Sequence, residues 1–236
     1  MKLLKLLLFP FITSAFNNIH NKIKYTKTLK SKPEDIPEMT ETLLKMSRPD
    51  TLPRTTLVAF TGVCAANNDW TSVLNKEFIV SASLATAICA NSMIINDAFD
   101  AKDGTDTDPN KNMITAGKIS EKTTVTFLSL SYSIIIASTL LFIDSIEIKN
   151  MILSSIIITI LYTPFLKPKP WIKNISVASV IACTPAVGAI ATSGSLQSAI
   201  NNPDSRLIWL IPTIFTGIMY QEIIMDIADI DNDKNS

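Results

Sequence analysis

The sequence has a single histidine and three cysteines, and these low numbers exclude several kinds of site. His20 lies in a basic N-terminal segment, so a histidine-based catalytic triad and a histidine-rich metal site are both excluded. Cys64, Cys89 and Cys183 stand in apolar runs at unrelated spacings, whereas a disulfide framework or a zinc site needs paired cysteines in polar surroundings. We therefore expect the cysteines to be small buried hydrophobic residues.

Charge is also scarce over long stretches of the chain. The 236 residues carry no net formal charge at pH 7, so the total charge gives no reason to expect a nucleic-acid partner. With 47% hydrophobic residues and a mean hydropathy of +0.29, the chain is more apolar than a typical soluble domain. The charges that do occur are unevenly placed, and aspartates cluster in two short segments that follow apolar runs.

The uncharged runs predict an all-α fold, a multi-span transmembrane helix bundle with the lipid bilayer as its partner. A helix needs about 20 apolar residues to cross a membrane core. A weaker run, Thr55–Asn68, follows Arg54 and would form a short first span. The five stronger runs are Phe78–Ile95, Thr123–Ile143, Met151–Leu166, Ile175–Ile200 and Leu207–Gln221. Their many serine, threonine, alanine and glycine residues favour helices that pack closely in lipid.

Six spans would place the polar residues on one membrane face, because the second, fourth and sixth spans end on the same side. Those ends lead into residues 96–100, 162–173 and 226–229. Lysine and arginine are more frequent in the loops of this face than in those of the other face. By the positive-inside rule it is the cytoplasmic face, or the stromal face in a plastid.

Two acidic clusters on this predicted face favour a divalent metal site. Asn96 and Asp100 are four residues apart, and Asp97 and Asp100 are three apart, so they share one side of a helix. The second cluster repeats the pattern, since Asp226 and Asp229 are one turn apart. Oxygen ligands at this spacing suit Mg²⁺, which proteins hold with a few carboxylates and substrate phosphates. The alternative interpretation is that both clusters are solvated helix ends.

Five segments, in this order, resemble motifs of the UbiA superfamily of intramembrane prenyltransferases, and together they cover roughly residues 45–236. NDAFD (Asn96–Asp100) is similar to the first motif, NDxxDxxxD, and DIADIDND (Asp226–Asp233) is similar to the second, DxxDxxxD. The other three segments are SRPDTLPRTT (Ser47–Thr56), MITAGKIS (Met113–Ser120) and YTPFLKPKPWIKN (Tyr162–Asn174). The sequence departs from the first motif at Gly104, where the resemblance implies an aspartate that Asp103 or Asp106 would replace.

The resemblance implies Mg²⁺-dependent transfer of a polyprenyl group from its diphosphate to an acceptor, usually an aromatic ring. Tyr162 and Lys167 are implied to be the catalytic residues, in contact with the diphosphate or with the prenyl cation. Arg54, Lys173 and Asn174 are implied to bind substrate, with Arg54 on the acceptor side. The implied ligands of Mg²⁺ and diphosphate are Asn96, Asp97, Asp100, Asp103, Asp226, Asp229 and Asp233.

The N-terminal segment predicts targeting to a membrane compartment. Met1–Phe16 has two lysines, an apolar run and then small residues, as a signal peptide does, and residues 17–32 form a basic, acid-free, transit-like segment. We divide the chain into a targeting presequence, residues 1–44, and a partial UbiA-like prenyltransferase domain, residues 45–236. The expected location is a plastid membrane or otherwise an endomembrane. Because the family has nine spans and about six are present, we expect a C-terminally truncated chain.

A second function remains open, that of a non-catalytic membrane binding or assembly protein, a degenerate relative of the prenyltransferases. Two other enzyme classes fit less well. CDP-alcohol phosphotransferases need an Ala-Arg pair after the Asp-Gly, and here Asp103-Gly104 is followed by Thr105-Asp106. Soluble prenyl-diphosphate synthases have amphipathic helices, whereas these runs are uncharged throughout.

Overall fold

The structure is a computed structural model that describes residues 36–67, 70–104 and 112–234, and of residues 67, 170 and 229–234 the backbone alone. Most of the predicted presequence, residues 1–35, lies outside the described residues. The predicted boundary between residues 44 and 45 falls inside the first described helix, and the division itself remains a prediction.

Helices make up the described part of the chain, which contains no strand. A 3-10 turn, Trp70–Leu74, precedes the third α-helix, and a π-helical turn, Tyr162–Leu166, directly follows the fifth. The α-helices are α1 (Ile36–Met46), α2 (Leu52–Asn67), α3 (Lys76–Asp103), α4 (Glu121–Phe142), α5 (Ile146–Leu161), α6 (Pro170–Ser193), α7 (Leu196–Asn201) and α8 (Leu207–Lys234).

Five of these segments are long and apolar enough to cross a membrane, and α2 is a shorter apolar helix. The five are Lys76–Asp103, Glu121–Phe142, Ile146–Leu166, Trp171–Ser193 and Leu207–Ala228. The predicted all-α, multi-span fold with about six helices is therefore confirmed, and the chain is an integral membrane protein. One predicted span was too long: the run Ile175–Ile200 is interrupted at Gly194, whose φ of +81° ends α6 before the separate helix α7 begins.

Local sequence signals explain where the spanning helices begin. The side chain of Asn75 accepts a hydrogen bond from the backbone N–H of Glu77 and caps α3. Ser120 and Ser145 cap α4 and α5 in the same way, each accepting from a backbone N–H three residues on. Each cap is a polar residue just outside an apolar run, so local hydrogen bonds mark where the spanning helices begin.

Helix α6 lies at the centre of the bundle, where it packs against α2, α3, α5 and α8. Its approach to α2 is the tightest feature of the fold. A Cβ atom on Gly62 of α2 would lie 1.8 Å from the carbonyl oxygen of Pro185, and one on Gly188 would lie 2.1 Å from the carbonyl oxygen of Ala59. Glycine at these two positions therefore permits the backbones to meet directly, as small residues do between membrane helices.

The cysteines differ from expectation. None of the three is fully buried: Cys64 and Cys89 are partly exposed and Cys183 is exposed. Cys183 lies on α6, and its exposure follows from the membrane setting, because an apolar side chain that faces lipid gains as much there as one inside the bundle. The inside-outside rule of soluble proteins therefore does not apply to these residues.

On the membrane face opposite the motifs, acidic side chains are used to hold loops. Oε1 of Glu77 accepts hydrogen bonds from the backbone N–H groups of Asp144 and Ser145, at 3.0 Å and 2.7 Å. Oε2 of Glu147 accepts from the backbone N–H of Leu196 at 2.8 Å. These two glutamates cap the starts of neighbouring helices. On this face, acids at helix ends therefore have a structural role.

We predict that Gly62→Ala destabilises the protein by about 1–3 kcal/mol, because the added methyl group overlaps the α6 backbone and forces the two helices apart. Gly217→Ala in α8 is the matched control, since nothing lies within 4 Å of a Cβ at that position. The measurement is thermal unfolding of the purified protein in detergent micelles. Equal stability of the two variants would show that α2 and α6 do not approach as closely as described.

Candidate functional site

The first acidic cluster lies in the last turns of α3, where the helix reaches the membrane surface. Lys167, which directly follows the π-helical turn, donates from Nζ to Oδ1 of Asn96 at 3.0 Å and to Oδ1 of Asp100 at 2.5 Å. The amide Nδ2 of Asn96 donates to Oδ2 of Asp100 at 2.8 Å. The i, i+4 spacing therefore brings the three side chains into one hydrogen-bonded group.

Asp97, on the adjacent side of α3, contacts two segments of the chain. Its Oδ1 accepts a hydrogen bond from the guanidinium of Arg48 at 3.1 Å, and its backbone carbonyl accepts from Nδ2 of the buried Asn112 at 2.7 Å. Arg48 has a φ of +51°, a left-handed conformation that is unfavourable for a side chain with a Cβ and therefore marks a constrained position. The connection between α1 and α2 is thus shaped to place a cation on Asp97.

The second cluster lies near the end of α8 and is bound to the start of α6. Lys173 forms an ion pair with Oδ1 of Asp226, and Nδ2 of Asn174 donates to Oδ2 of the same carboxylate at 3.1 Å. Asn174 is 3% exposed, and its Oδ1 has no hydrogen-bond partner among the described residues. Both oxygens of Asp226 are therefore used, while a buried amide oxygen beside it is left unsatisfied.

Tyr162 lies near both clusters. It is close enough to Asp100, Asp226 and Glu222 for all three carboxylates to act on its hydroxyl group electrostatically. The π-helical turn that Tyr162 begins is closed by the N–H of Lys167, which donates to the carbonyl of Tyr162 at 2.7 Å. Such turns insert an extra residue into a helix and often occur at functional sites. Here the turn directs Tyr162 and Lys167 towards the same group of acids.

The structure brings together most of the site residues that the sequence predicts. Asn96, Asp97, Asp100, Tyr162, Lys167, Lys173, Asn174 and Asp226 all belong to the arrangement described above. Arg54 and Asp103 stand apart: both are exposed, and neither forms an ion pair with a described residue. The backbone of Asp229 and Asp233 continues α8 on the same side, but their side chains lie outside the described part of the chain.

Three residues of the site were not predicted from the sequence. Arg48 stands in the same SRPDTLPRTT segment as Arg54, and its position before Pro49 was the available signal. Asn112 directly precedes the MITAGKIS segment, and its position gave no signal of a contact with α3. Glu222 is a half-buried acid one turn before Asp226 on α8, and it interacts electrostatically with Lys173. An acid inside an apolar run is costly in a membrane, so Glu222 could have been recognised from the sequence.

The donor atoms of the site fit Mg²⁺ better than a softer metal. Among the described residues, no group of three or more histidine, cysteine, aspartate or glutamate side chains is arranged to hold a metal ion. The two clusters nevertheless offer carboxylate and amide oxygens, which are the ligands that Mg²⁺ prefers. The unsatisfied amide oxygen of Asn174 is a further oxygen donor at the second cluster. Basic side chains also stand next to these oxygens, as a site for a metal and a phosphate requires.

The sequence matches the model of the UbiA prenyltransferase family over residues 55–236. The match covers most of the chain, and the chain belongs to this family. No curated protein and no solved structure shows a match. Prenyl transfer is the activity of the family, and its members generally use Mg²⁺.

We predict that Arg48→Gln raises the KM for a prenyl diphosphate by about tenfold, because the cation beside Asp97 is lost, whereas Arg54→Gln changes this KM less than twofold. The two substitutions are matched in chemistry and lie six residues apart. The measurement is the release of diphosphate from labelled geranylgeranyl diphosphate by membranes containing each variant. A larger KM effect from Arg54→Gln would assign the diphosphate contact to Arg54 instead.

Proposed function

We propose that this protein transfers a polyprenyl group from its diphosphate to an aromatic or related acceptor, in an Mg²⁺-dependent reaction. The observation that supports this most strongly is that three carboxylates in two clusters, Asp97, Asp100 and Asp226, are each paired with a basic side chain. Tyr162 lies close enough to both clusters for their charges to act on it. Two acidic clusters with three basic side chains form a site for a polyanion carried by metal ions. If the carboxylates were only hydrated groups at helix ends, they would not need these cations as partners.

The chain supplies the metal ligands from two helices. Asn96, Asp97 and Asp100 of α3 would hold Mg²⁺ on one side, and Asp226 of α8 on the other, with Asp229 and Asp233 proposed to join it. When bound, Mg²⁺ would neutralise the charge of the diphosphate and favour its departure. The resemblance also proposes Asp103 as a ligand, although its carboxylate is exposed at the end of α3.

The basic side chains stabilise the diphosphate itself. Transfer breaks the bond between the first prenyl carbon and a diphosphate oxygen, and the bonding electrons leave with the diphosphate. The acceptor supplies the electron pair for the new bond to that carbon, and an aromatic acceptor then loses a proton to water. Lys167, Lys173 and Arg48 reach the site from three different segments, so they can surround the group on which this charge develops. Asn174 would donate to it or orient Asp226.

Tyr162 stands where the prenyl carbon loses its leaving group. Its ring presents a polarisable face that is favourable to positive charge, and its hydroxyl can donate to the departing oxygen. The carboxylates near it create a negative electrostatic potential, which would further favour positive charge on the prenyl chain. Arg54, exposed at the start of α2, is proposed from the resemblance to line the acceptor side.

The acceptor is proposed from the N-terminal segment alone. A signal-like run followed by an acid-free basic segment supports a plastid membrane as the location. In that compartment homogentisate, a naphthoquinone precursor and chlorophyllide are the acceptors to test first. An endomembrane location would shift the search to other aromatic acceptors.

We predict that Asp100→Asn and Asp226→Asn each lower prenyl transfer by roughly a hundredfold or more, because each removes a charge that acts on the transferring group. Asp144→Asn is the matched control, since Asp144 is exposed on the opposite membrane face. The assay supplies labelled geranylgeranyl diphosphate and the three acceptors with Mg²⁺ or with a chelator. No turnover by the unsubstituted protein with any acceptor, together with no effect of Asp100→Asn, would support the non-catalytic alternative.

A further inference from the structure

Three carboxylates of the proposed metal site are each already paired with a cation of the chain itself. Asp97 pairs with Arg48, Asp100 with Lys167, and Asp226 with Lys173. Lys167 also donates to the amide oxygen of Asn96, so it occupies two of the oxygen atoms assigned to Mg²⁺. The side chains proposed to bind metal are thus bonded to those proposed to bind diphosphate.

We propose that these three ion pairs act as a charge lock that couples the binding of Mg²⁺ to the binding of diphosphate. The proposal rests on the proposed function, because it uses the same site. In the locked state each cation neutralises a carboxylate. In the loaded state the cations move to phosphate oxygens and the carboxylates move to Mg²⁺. Neither ligand alone provides a partner for every charge, and both together do.

The cost of a partial exchange explains the coupling. Mg²⁺ alone would displace Lys167 from Asp100 and Asn96, leaving a partly buried ammonium group without a counter-ion. Diphosphate alone would draw the same lysine away and leave the charge of Asp100 without that cation beside a polyanion. When both bind, each displaced group finds an opposite charge. By thermodynamic linkage, diphosphate then tightens Mg²⁺ binding by the same factor as Mg²⁺ tightens diphosphate binding.

The three cations are attached where they can move without disturbing the spans. Arg48 stands in the connection between α1 and α2, and half of its side chain is exposed although its partner is 13% exposed. Lys167 follows the π-helical turn, and Lys173 lies in the first turn of α6. Each has a long flexible stem and comes from a different segment than its carboxylate. Exchange therefore needs a change of rotamer and no separation of helices.

The opposing interpretation is that these pairs are permanent connections that hold α3 and α8 against their neighbours. The two interpretations differ in what happens when a cation is removed. In a lock, Lys167→Met removes the cation that competes with Mg²⁺ for Asp100 and Asn96, so Mg²⁺ alone should bind more tightly. In a permanent connection the same variant loosens the site, and Mg²⁺ should bind no better.

The experiment measures thermal stability of the full chain in detergent under four conditions: no ligand, Mg²⁺, inorganic diphosphate, and both at a fixed free Mg²⁺ concentration. The dissociation constants follow from the shifts in Tm. Lys167→Met and Arg48→Gln are the test variants, one for each of two ion pairs, so a single folding failure leaves the other to decide. Lys169→Met is the control: it removes an equal charge from an exposed lysine that has no ion pair with a described residue.

For the unsubstituted protein we expect diphosphate to lower the Kd of Mg²⁺ by about tenfold or more. In Lys167→Met and in Arg48→Gln, the Kd of Mg²⁺ alone should fall by about fivefold, and the effect of diphosphate should shrink by a similar factor. Lys169→Met should behave as the unsubstituted protein.

Mg²⁺ binding that is independent of diphosphate in the unsubstituted protein would overturn the proposal, as would weaker or unchanged Mg²⁺ binding in both test variants. Prenyl transfer is not measured in this experiment. A chain that shows the coupling but transfers no prenyl group would therefore disprove the proposed function and leave the lock standing. A chain that transfers the prenyl group but shows no coupling would disprove the lock and leave the proposed function standing.

Discussion

A carboxylate at the end of an apolar helix loses much of its hydration, so it must be paired with a cation or bound to a ligand. The helices that reach the motif face place Asp97, Asp100 and Asp226 in this position, and a basic side chain meets each of them. On the opposite face Glu77 and Glu147 are satisfied by backbone N–H groups instead. Among the described residues, the motif face is therefore the one that pairs its acids with cationic side chains, and we propose that these pairs exchange for a metal and a polyanion.

The packing of the bundle positions these groups. Helix α6 meets α2 through Gly62 and Gly188 with no side chain between the backbones, and it also contacts α3, α5 and α8. Lys173, in the first turn of α6, is thereby held beside α8. In the same way, the π-helical turn at the end of α5 holds Lys167 beside α3. The site thus depends on a close helix crossing, which lies away from the site, and on one irregular turn, which carries Tyr162 into it.

Much of the fold and site follows from sequence patterns. The uncharged runs predict the spans, and their order along the chain places residues 96–100, 162–173 and 226–229 on one face. Helix spacing predicts the grouping of Asn96 with Asp100. The end of α6 was mispredicted because the left-handed conformation of Gly194 cannot be distinguished, from composition alone, from a glycine within a span. The exposure of Cys183 was missed because lipid-facing and buried residues have the same hydropathy.

Individual side-chain partners were harder to predict. Arg48 and Arg54 stand in one segment, and it is Arg48, whose backbone is left-handed, that contacts Asp97 through its guanidinium. The pairing of Lys167 with Asp100 spans 67 residues and depends on the π-helical turn, which has no reliable sequence signal. Glu222 carried a readable signal, an acid in an apolar run, but it lies outside the motif that drew attention to Asp226.

The central claim is that the two acidic clusters form one site for one diphosphate. A double-mutant cycle measures this most directly: the affinity for a non-reactive prenyl thiodiphosphate in Mg²⁺ is determined for Asp100→Asn, Asp226→Asn and the double variant. A shared ligand predicts an interaction free energy of about 1 kcal/mol or more between the two positions. Effects that add to within about 0.5 kcal/mol would mean that the clusters act independently, and would contradict the account.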